Sequence, residues 1–171
     1  SYDIEYDGAL PVKRSFFMPG AATPYRYDRL VFNPAANYLL TRYELFEQST
    51  PGNFYRSDST VYRFAGGFMT GMDQWIRFSA SDTMELMRRA DFTYNGSNLS
   101  KVREISYGAT VDTTTTTITT NADPNPVKSI HNWFCFISPI WDQDAYQGVQ
   151  FSLSRDAQAT ITARSEEHTS E

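Results

Sequence analysis

The feature that most constrains this chain is a repeated alternation of apolar and polar residues that glycines interrupt. In "STVYRFAGGFMTGMDQWIRFSAS", residues 59–81, Tyr62 and Phe64 alternate with Val61 and Arg63 until a glycine pair follows. A period of two is typical of a β-strand, and a glycine inside such a pattern marks a bulge, a bend or a close backbone approach. The stretch therefore predicts a strand, a glycine-bearing bend and a second strand.

The same strand signals recur along the chain. They occur at residues 25–32, "YRYDRLVF", at 130–141, "IHNWFCFISPIW", and at 146–154, "YQGVQFSLS". "FTYNGSN", residues 92–98, adds an Asn-Gly hairpin signal, and the threonine-rich residues 113–120 favour an exposed strand or a loop. Aromatic residues make up 15% of the chain, and no internal repeat is evident. These signals predict an all-β fold, an antiparallel β-sandwich.

One short helix is expected within this β chain. In residues 35–48, "AANYLLTRYELFEQ", Leu39, Tyr43 and Phe46 would share one face of an amphipathic helix. Asn33 could cap that helix, with Pro34 in its first turn. Residues 82–89 are ambiguous, since they fit a short capped helix or a strand equally well.

The chain divides into three parts. Residues 1–24 contain three prolines and two glycines and are predicted to form an extended N-terminal arm, whereas residues 25–163 form the β-sandwich domain. Phe16, Phe17 and Met18 are the candidate interface of the arm, because they are its largest group of adjacent apolar residues. The alternative is that residues 1–24 hold a first strand that pairs within this domain.

The last eight residues, 164–171, are set apart from the fold. "RSEEHTSE" resembles the translation of a common sequencing adapter, which would mean that the natural chain continues differently after Ala163. A disordered acidic tail is the alternative.

Composition disfavours several classes of function. The formal net charge of -5 does not suit binding to nucleic acid, which requires clustered cations. The single cysteine, Cys135, excludes a disulfide within the chain. No apolar run reaches the roughly 18 residues that a membrane-spanning helix needs. We therefore expect neither direct nucleic-acid binding nor a membrane span.

No group of residues indicates catalysis. His131 and Cys135 lie four apart in a predicted strand, where about 13 Å would separate them, so a Cys–His dyad is not favoured. Asp142 and Asp144 have the spacing of two calcium-loop acids, but the glycine and glutamate of such a loop are missing. The sequence predicts that the chain is not an enzyme and needs no metal or cofactor.

Two stretches, Tyr62 to Ala80 and Gln147 to Ser154, resemble segments of the coat proteins of picorna-like RNA viruses. That family implies a jelly roll whose last strand would lie beyond Ala163, self-assembly with copies or paralogous subunits into a virion capsid, and release from a polyprotein. Ser1 would then be a processed first residue, or else the start of a fragment.

Three functions remain open from the sequence. The first is a structural coat subunit whose arm buries Phe16 and Phe17 against a neighbour. The second is an extracellular β-sandwich that binds glycans through exposed aromatic rings. The third is an accessory subunit of a large membrane-associated assembly, present in one copy among unlike chains.

Overall fold

The computed structural model describes residues 1–36, 39–124 and 156–166 of the 171-residue chain. The strands expected at residues 130–141 and 146–154 lie outside the described residues. His131, Cys135, Asp142 and Asp144 lie outside them as well, so the expectations for these four side chains stay predictions.

Ten strands form the described fold, and each is hydrogen-bonded to the next strand in the chain, from β1 to β10. They are β1 (Tyr2–Asp7), β2 (Leu10–Phe16), β3 (Arg26–Asn33), β4 (Leu39–Thr50), β5 (Asn53–Ala65), β6 (Phe68–Ile76), β7 (Glu85–Asn95), β8 (Asn98–Tyr107), β9 (Val111–Pro124) and β10 (Asp156–Glu166). A short 3₁₀ turn, Pro34–Ala36, separates β3 from β4.

The all-β, antiparallel prediction is confirmed, and it is consistent with the β-sandwich class. The strand order was not foreseen. A jelly roll contains Greek-key steps that place strands distant in sequence side by side. Among the described strands every neighbour in the sheet is also the neighbour in sequence, which is a meander. No helix in the part of the chain that the structure describes is long and apolar enough to cross a membrane.

The predicted helix at residues 35–48 is wrong, because most of this stretch forms β4. Leu45 in this strand pairs with Asp28 on one side and with Asp58 on the other. Leu40, Tyr43 and Leu45 are all buried although their positions differ in parity. Thr41 is an extra residue on β4, since Leu40 pairs with Phe32 and Arg42 pairs with Val31. This β-bulge returns Leu40 to the face of Tyr43 and Leu45, and the resulting spacing of three imitates a helix.

The predicted turns are confirmed. Gly66 and Gly67 link β5 to β6, and Gly96 with Ser97 links β7 to β8. The φ angles of 58° at Gly66 and 60° at Gly96 lie in the left-handed region, as a tight two-residue hairpin requires at its first position. The ambiguous residues 82–89 enter strand β7 rather than a helix, and the threonine-rich stretch forms part of β9.

Residues 1–24 adopt the alternative that the sequence left open. They form a β1–β2 hairpin, and β2 continues the sheet by pairing Lys13 with Arg29 and Ser15 with Tyr27 on β3. The backbone N–H of Phe17 also donates to the carbonyl of Ser1 at 2.9 Å. The N-terminal segment is therefore a pair of strands in the sheet and not an extended arm.

The chain forms two compact units. Unit 1 comprises residues 1–61 and 74–86, and unit 2 comprises residues 62–73 and 87–171. Leu30, Leu40, Tyr43 and Leu45 are the buried apolar residues of unit 1. Residues 164–166 belong to β10, where Arg164 pairs with Thr115 and Glu166 with Thr113.

Unit 2 contains a repeat that the sequence does not show. When Gly66 is aligned with Gly96, a shift of 30 residues, three buried positions coincide. They are Tyr62 with Phe92, Met69 with Leu99, and Met72 with Val102. None of these pairs is identical, because burial requires only an apolar side chain of suitable size. The two hairpins thus repeat one packing pattern.

We expect Gly96→Ala to destabilise the protein by about 1–2 kcal/mol, because an L-residue is strained in the left-handed region. Gly108→Ala is the matched control. Gly108 has no left-handed φ, and an added Cβ would meet only the Thr110 carbonyl at an ordinary 3.6 Å. Urea denaturation of both variants measures the difference. Equal losses of stability would contradict the assigned turn.

Candidate functional site

The three interface residues proposed from the sequence lie at the end of β2 and just after it. Phe16 is half-buried between two guanidinium groups, with Arg14 Cζ 4.9 Å and Arg26 Cζ 4.5 Å from the ring centroid. Phe17 is half-buried, and Met18 is 59% exposed. Phe16 therefore packs against side chains of β2 and β3, and a role of this group in assembly stays a prediction.

Strand β1 is exposed along its whole length. All six of its residues are exposed, and they alternate between large apolar and acidic side chains in the sequence "YDIEYD". Tyr2, Ile4 and Tyr6 are 62%, 39% and 61% exposed. This alternation was visible in the sequence, but an alternating strand usually buries one face. The structure leaves both faces open.

The outer edge of β1 carries backbone hydrogen-bonding groups that no described strand pairs with. Ser1 and Phe17 exchange two hydrogen bonds, of 2.9 and 3.2 Å, so they form a hydrogen-bonded pair. Such pairs alternate along an antiparallel ladder. Tyr2 and Ile4, which pair with Phe16 and Arg14, therefore direct their N–H and C=O groups away from β2. Among the described strands, β1 pairs only with β2.

The acidic face of β1 has one charge partner in the described part of the molecule. Lys13 Nζ lies 2.6 Å from Glu5 Oε1, across the β1–β2 pair. Asp3 and Asp7 flank Glu5 on the same face of the strand, since successive side chains alternate. A row of three carboxylates meets a single ammonium group, and the strand face is net negative.

A second charged group lies on β3, β4 and β5 of unit 1. The side chain of Glu44 is fully buried, with 0% exposure. Arg29 Nε donates to its Oε2 at 2.6 Å, and Arg56 Nη1 donates to its Oε1 at 2.7 Å. Arg42 Nη1 lies 3.6 Å from Oε1. Three arginines therefore share one carboxylate, and we call these four residues the Glu44 cluster.

A β-bulge brings Arg56 into this cluster. Leu45 pairs with Asp58 and Phe46 pairs with Arg56, so Ser57 is an extra residue on β5. The extra residue reverses the alternation of side chains on β5. Arg56 and Ser59 consequently share a face with Glu44 and Arg42. Sequence reasoning missed the cluster, because neither the bulge nor the pairing partners can be read from local periodicity.

The arginines control the ionisation of Glu44. Burial alone would raise the pKa of this carboxyl group, but the hydrogen bonds from Arg56 and Arg29 and their charges outweigh it. The net effect lowers the pKa of Glu44 below 4.5. Glu44 is therefore an anion at neutral pH, and it neutralises one of the three guanidinium charges.

An open cleft of about 310 Å³ borders the Glu44 cluster within unit 1. It is lined by Arg42, Arg56, Ser59, Val61, Trp75 and Met84. The indole of Trp75 is 36% exposed at the end of β6. The cleft thus combines two guanidinium groups and a hydroxyl group with an aromatic and aliphatic wall.

Unit 2 holds a comparable but balanced charge cluster. Arg63 donates to Asp91 Oδ1 at 2.7 Å and to the Ala90 carbonyl at 2.8 Å, and Arg89 donates to Asp73 Oδ1 at 2.7 Å. A side chain at Gly71 would collide with Arg63 and the Ala90 carbonyl. Two cations meet two anions here, and the cluster cross-links strands.

No group of three or more histidine, cysteine or acidic side chains that could hold a metal ion occurs within residues 1–36, 39–124 and 156–166. The described chemistry therefore consists of an exposed edge strand and a cationic cleft.

We expect Glu44→Gln to destabilise the protein by about 1–3 kcal/mol, because three guanidinium groups would lose their shared carboxylate. The loss should be smaller than for a fully buried ion pair, since the arginine side chains are partly exposed. Glu47→Gln is the control, with an expected change within about 0.5 kcal/mol. Guanidinium denaturation of both variants tests this.

The difference in unfolding free energy between wild type and Glu44→Gln should depend on pH. The pKa of Glu44 is lower in the folded than in the unfolded protein, so its ionised form stabilises the fold fully above the ordinary value of 4.5. That contribution is lost as the pH falls through the folded-state pKa. The stability difference between wild type and Glu44→Gln should therefore shrink in acid. A difference that does not change with pH would contradict the stabilising role of the Glu44 carboxylate.

Comparison with known proteins does not extend these observations. No protein-family model matches the chain, and no curated protein matches its sequence.

Proposed function

We propose that this chain is a non-catalytic structural subunit that assembles with other protein chains, and that β1 is its contact strand. The observation that carries the proposal is the free edge of β1, which exposes Tyr2, Ile4 and Tyr6. Folded proteins usually protect such an edge with a charge, a proline or a covering segment, because it is a template for another strand. The outer edge of β1 is not paired by any described strand although acids alternate with its apolar side chains, and such an edge is suited to strand addition.

The charge of β1 selects the partner. If two copies paired antiparallel about Ile4, Asp3 of one copy would face Glu5 of the other, and like charges in directly opposite positions are destabilising. A strand with lysine or arginine at alternate positions would instead neutralise the acidic row. The partner is therefore an unlike chain, such as a paralogous subunit, with a basic strand.

A viral coat is the assembly that the resemblance to picorna-like coat proteins implies. Paralogous subunits in one shell would satisfy the need for an unlike, basic partner strand, and the localisation would be the virion. The consecutive strand order lends no support to the jelly roll of that family. The proposal that the chain assembles therefore rests on the exposed strand β1. The proposal that the assembly is a viral coat rests on the resemblance alone.

Electron microscopy and native mass spectrometry of particles purified from the native source test the proposed assembly. We expect closed shells that contain this chain in many copies beside paralogous chains. A particle with one copy among unlike chains would overturn the coat and favour the accessory subunit. A free monomer would overturn assembly altogether.

The contact strand can be tested on the purified chain with a fluorescent peptide of alternating lysine and valine. Ile4→Pro removes an outward N–H without removing a bond to β2, and proline is tolerated at such positions of edge strands. We expect Ile4→Pro to weaken peptide binding at least about tenfold, which corresponds to one or two lost hydrogen bonds. Ile4→Val keeps the N–H group and should bind normally.

Two outcomes would contradict the contact strand. One is equal binding by the Ile4→Pro and Ile4→Val variants. The other is equal binding of a control peptide that alternates glutamate and valine, since the acidic row should repel it.

The second candidate function is glycan binding, which the exposed rings of Tyr2 and Tyr6 favour. They lie on one face of β1, about 13 Å apart at strand spacing. Stacking requires the rings, whereas strand addition requires the backbone. A glycan array probed with wild type, Ile4→Pro and the Tyr2→Ala, Tyr6→Ala double variant separates the two functions. Glycan binding that survives Ile4→Pro and is lost in the double variant would support this candidate.

A further inference from the structure

We propose that the cleft beside the Glu44 cluster binds a small organic anion, a carboxylate or phosphate group attached to an apolar ring. The volume of about 310 Å³ lies at the lower end of the range of ligand pockets. Such pockets combine an apolar lining with a few directed polar groups, as this cleft does. The site is separate from β1, and the inference does not depend on the proposed assembly.

The positive charge of the cleft exceeds what the protein itself neutralises. Each oxygen of Glu44 already accepts a hydrogen bond, Oε2 from Arg29 and Oε1 from Arg56. Arg42 lies 3.6 Å from Oε1, which is beyond a direct hydrogen bond. Within the described residues, Glu44 is the only carboxylate that ion-pairs with Arg42. The donors of Arg42 are therefore available to a ligand.

Arginine is suited to the oxyanion of such a ligand. Its planar guanidinium group can donate two parallel hydrogen bonds to a carboxylate or a phosphate. Arg42 and Arg56 both line the cleft, and Ser59 adds a hydroxyl donor. Glu44 holds Arg56 in place, at 2.7 Å, without presenting its own charge to solvent. Arg56 is thereby positioned before any ligand binds.

The other side chains that line the cleft form an apolar wall. Val61 pairs with Arg42 across β4 and β5, and Trp75 and Met84 line the same cleft. An indole surface favours packing against another ring, and a methionine side chain adapts to irregular shapes. A purely inorganic anion would leave this wall in water. The lining therefore selects a ligand with an apolar ring as well as a charge.

Four probes test the two requirements by isothermal titration calorimetry. Benzoate and phenyl phosphate carry both the charge and the ring, benzamide lacks the charge, and inorganic phosphate lacks the ring. We expect benzoate to bind at least about tenfold more tightly than benzamide, since a hydrogen bond to a charged group exceeds a neutral one. Phenyl phosphate should likewise exceed inorganic phosphate. The benzoate-to-phenyl phosphate ratio distinguishes carboxylate from phosphate ligands.

Variants locate the binding. Arg42→Gln should weaken benzoate binding about tenfold or more, and Trp75→Leu should weaken it while leaving the benzoate preference over benzamide intact. Arg103→Gln removes an exposed arginine from β8, outside the cleft, and should bind as wild type does. Arg42→Lys keeps the charge without the planar fork, and should lie between wild type and Arg42→Gln.

Thermal denaturation of each variant shows whether it is folded before titration. If Arg42→Gln does not fold, the comparison of Arg42→Lys with Arg103→Gln carries the same test. Equal binding of benzoate and benzamide to wild type would overturn the proposal. Unchanged benzoate binding by folded Arg42→Gln or Arg42→Lys would overturn it too, and so would the absence of benzoate and phenyl phosphate binding.

Discussion

The buried carboxylate of Glu44 is the interaction on which unit 1 depends most. It accepts hydrogen bonds from Arg29 on β3 and Arg56 on β5, so one side chain on β4 joins three consecutive strands. A carboxylate with no solvent exposure would be costly to bury alone. The two directed guanidinium groups make it tolerable, because each donates a charge-assisted hydrogen bond to one carboxylate oxygen.

Acidic and basic side chains lie on neighbouring strands on this side of the sheet. Glu5 on β1 contacts Lys13 on β2, and Lys13 pairs in register with Arg29 on β3. On the opposite face, Arg14 of β2 donates to the buried Asp28 of β3 at 2.9 Å. Both faces of the N-terminal strands therefore carry ion pairs between neighbouring strands. The Arg14–Asp28 pair ties the β1–β2 hairpin to β3, whereas the Glu5–Lys13 pair lies within the hairpin.

The meander order determines where function can reside. A sheet built from consecutive hairpins has two terminal strands, and β1 is the first of them in the described order. Its free edge follows from topology, whereas its acidic and aromatic faces follow from the sequence "YDIEYD". The cleft has a different origin, since it needs the Ser57 bulge to bring Arg56 to the face that carries Glu44. The acidic edge and the cationic cleft thus carry opposite charges, and the two proposals assign them ligands of opposite charge.

The sequence by itself determined the all-β class, the turn at Gly66-Gly67, the hairpin at Gly96 and the strand over residues 26–32, because alternation and left-handed glycines are local properties. The tertiary structure decided the strand state of residues 39–50, the pairing of residues 10–16 with β3 and the composition of the Glu44 cluster. These features depend on the partner strand and its register. The helical spacing of Leu40 and Tyr43, for example, fits a strand because a β-bulge at Thr41 returns both side chains to one face. Local periodicity carries no information about such distant partners. The hairpin repeat of unit 2 is also not visible in the sequence, because a buried position requires an apolar side chain of suitable size and not a particular residue.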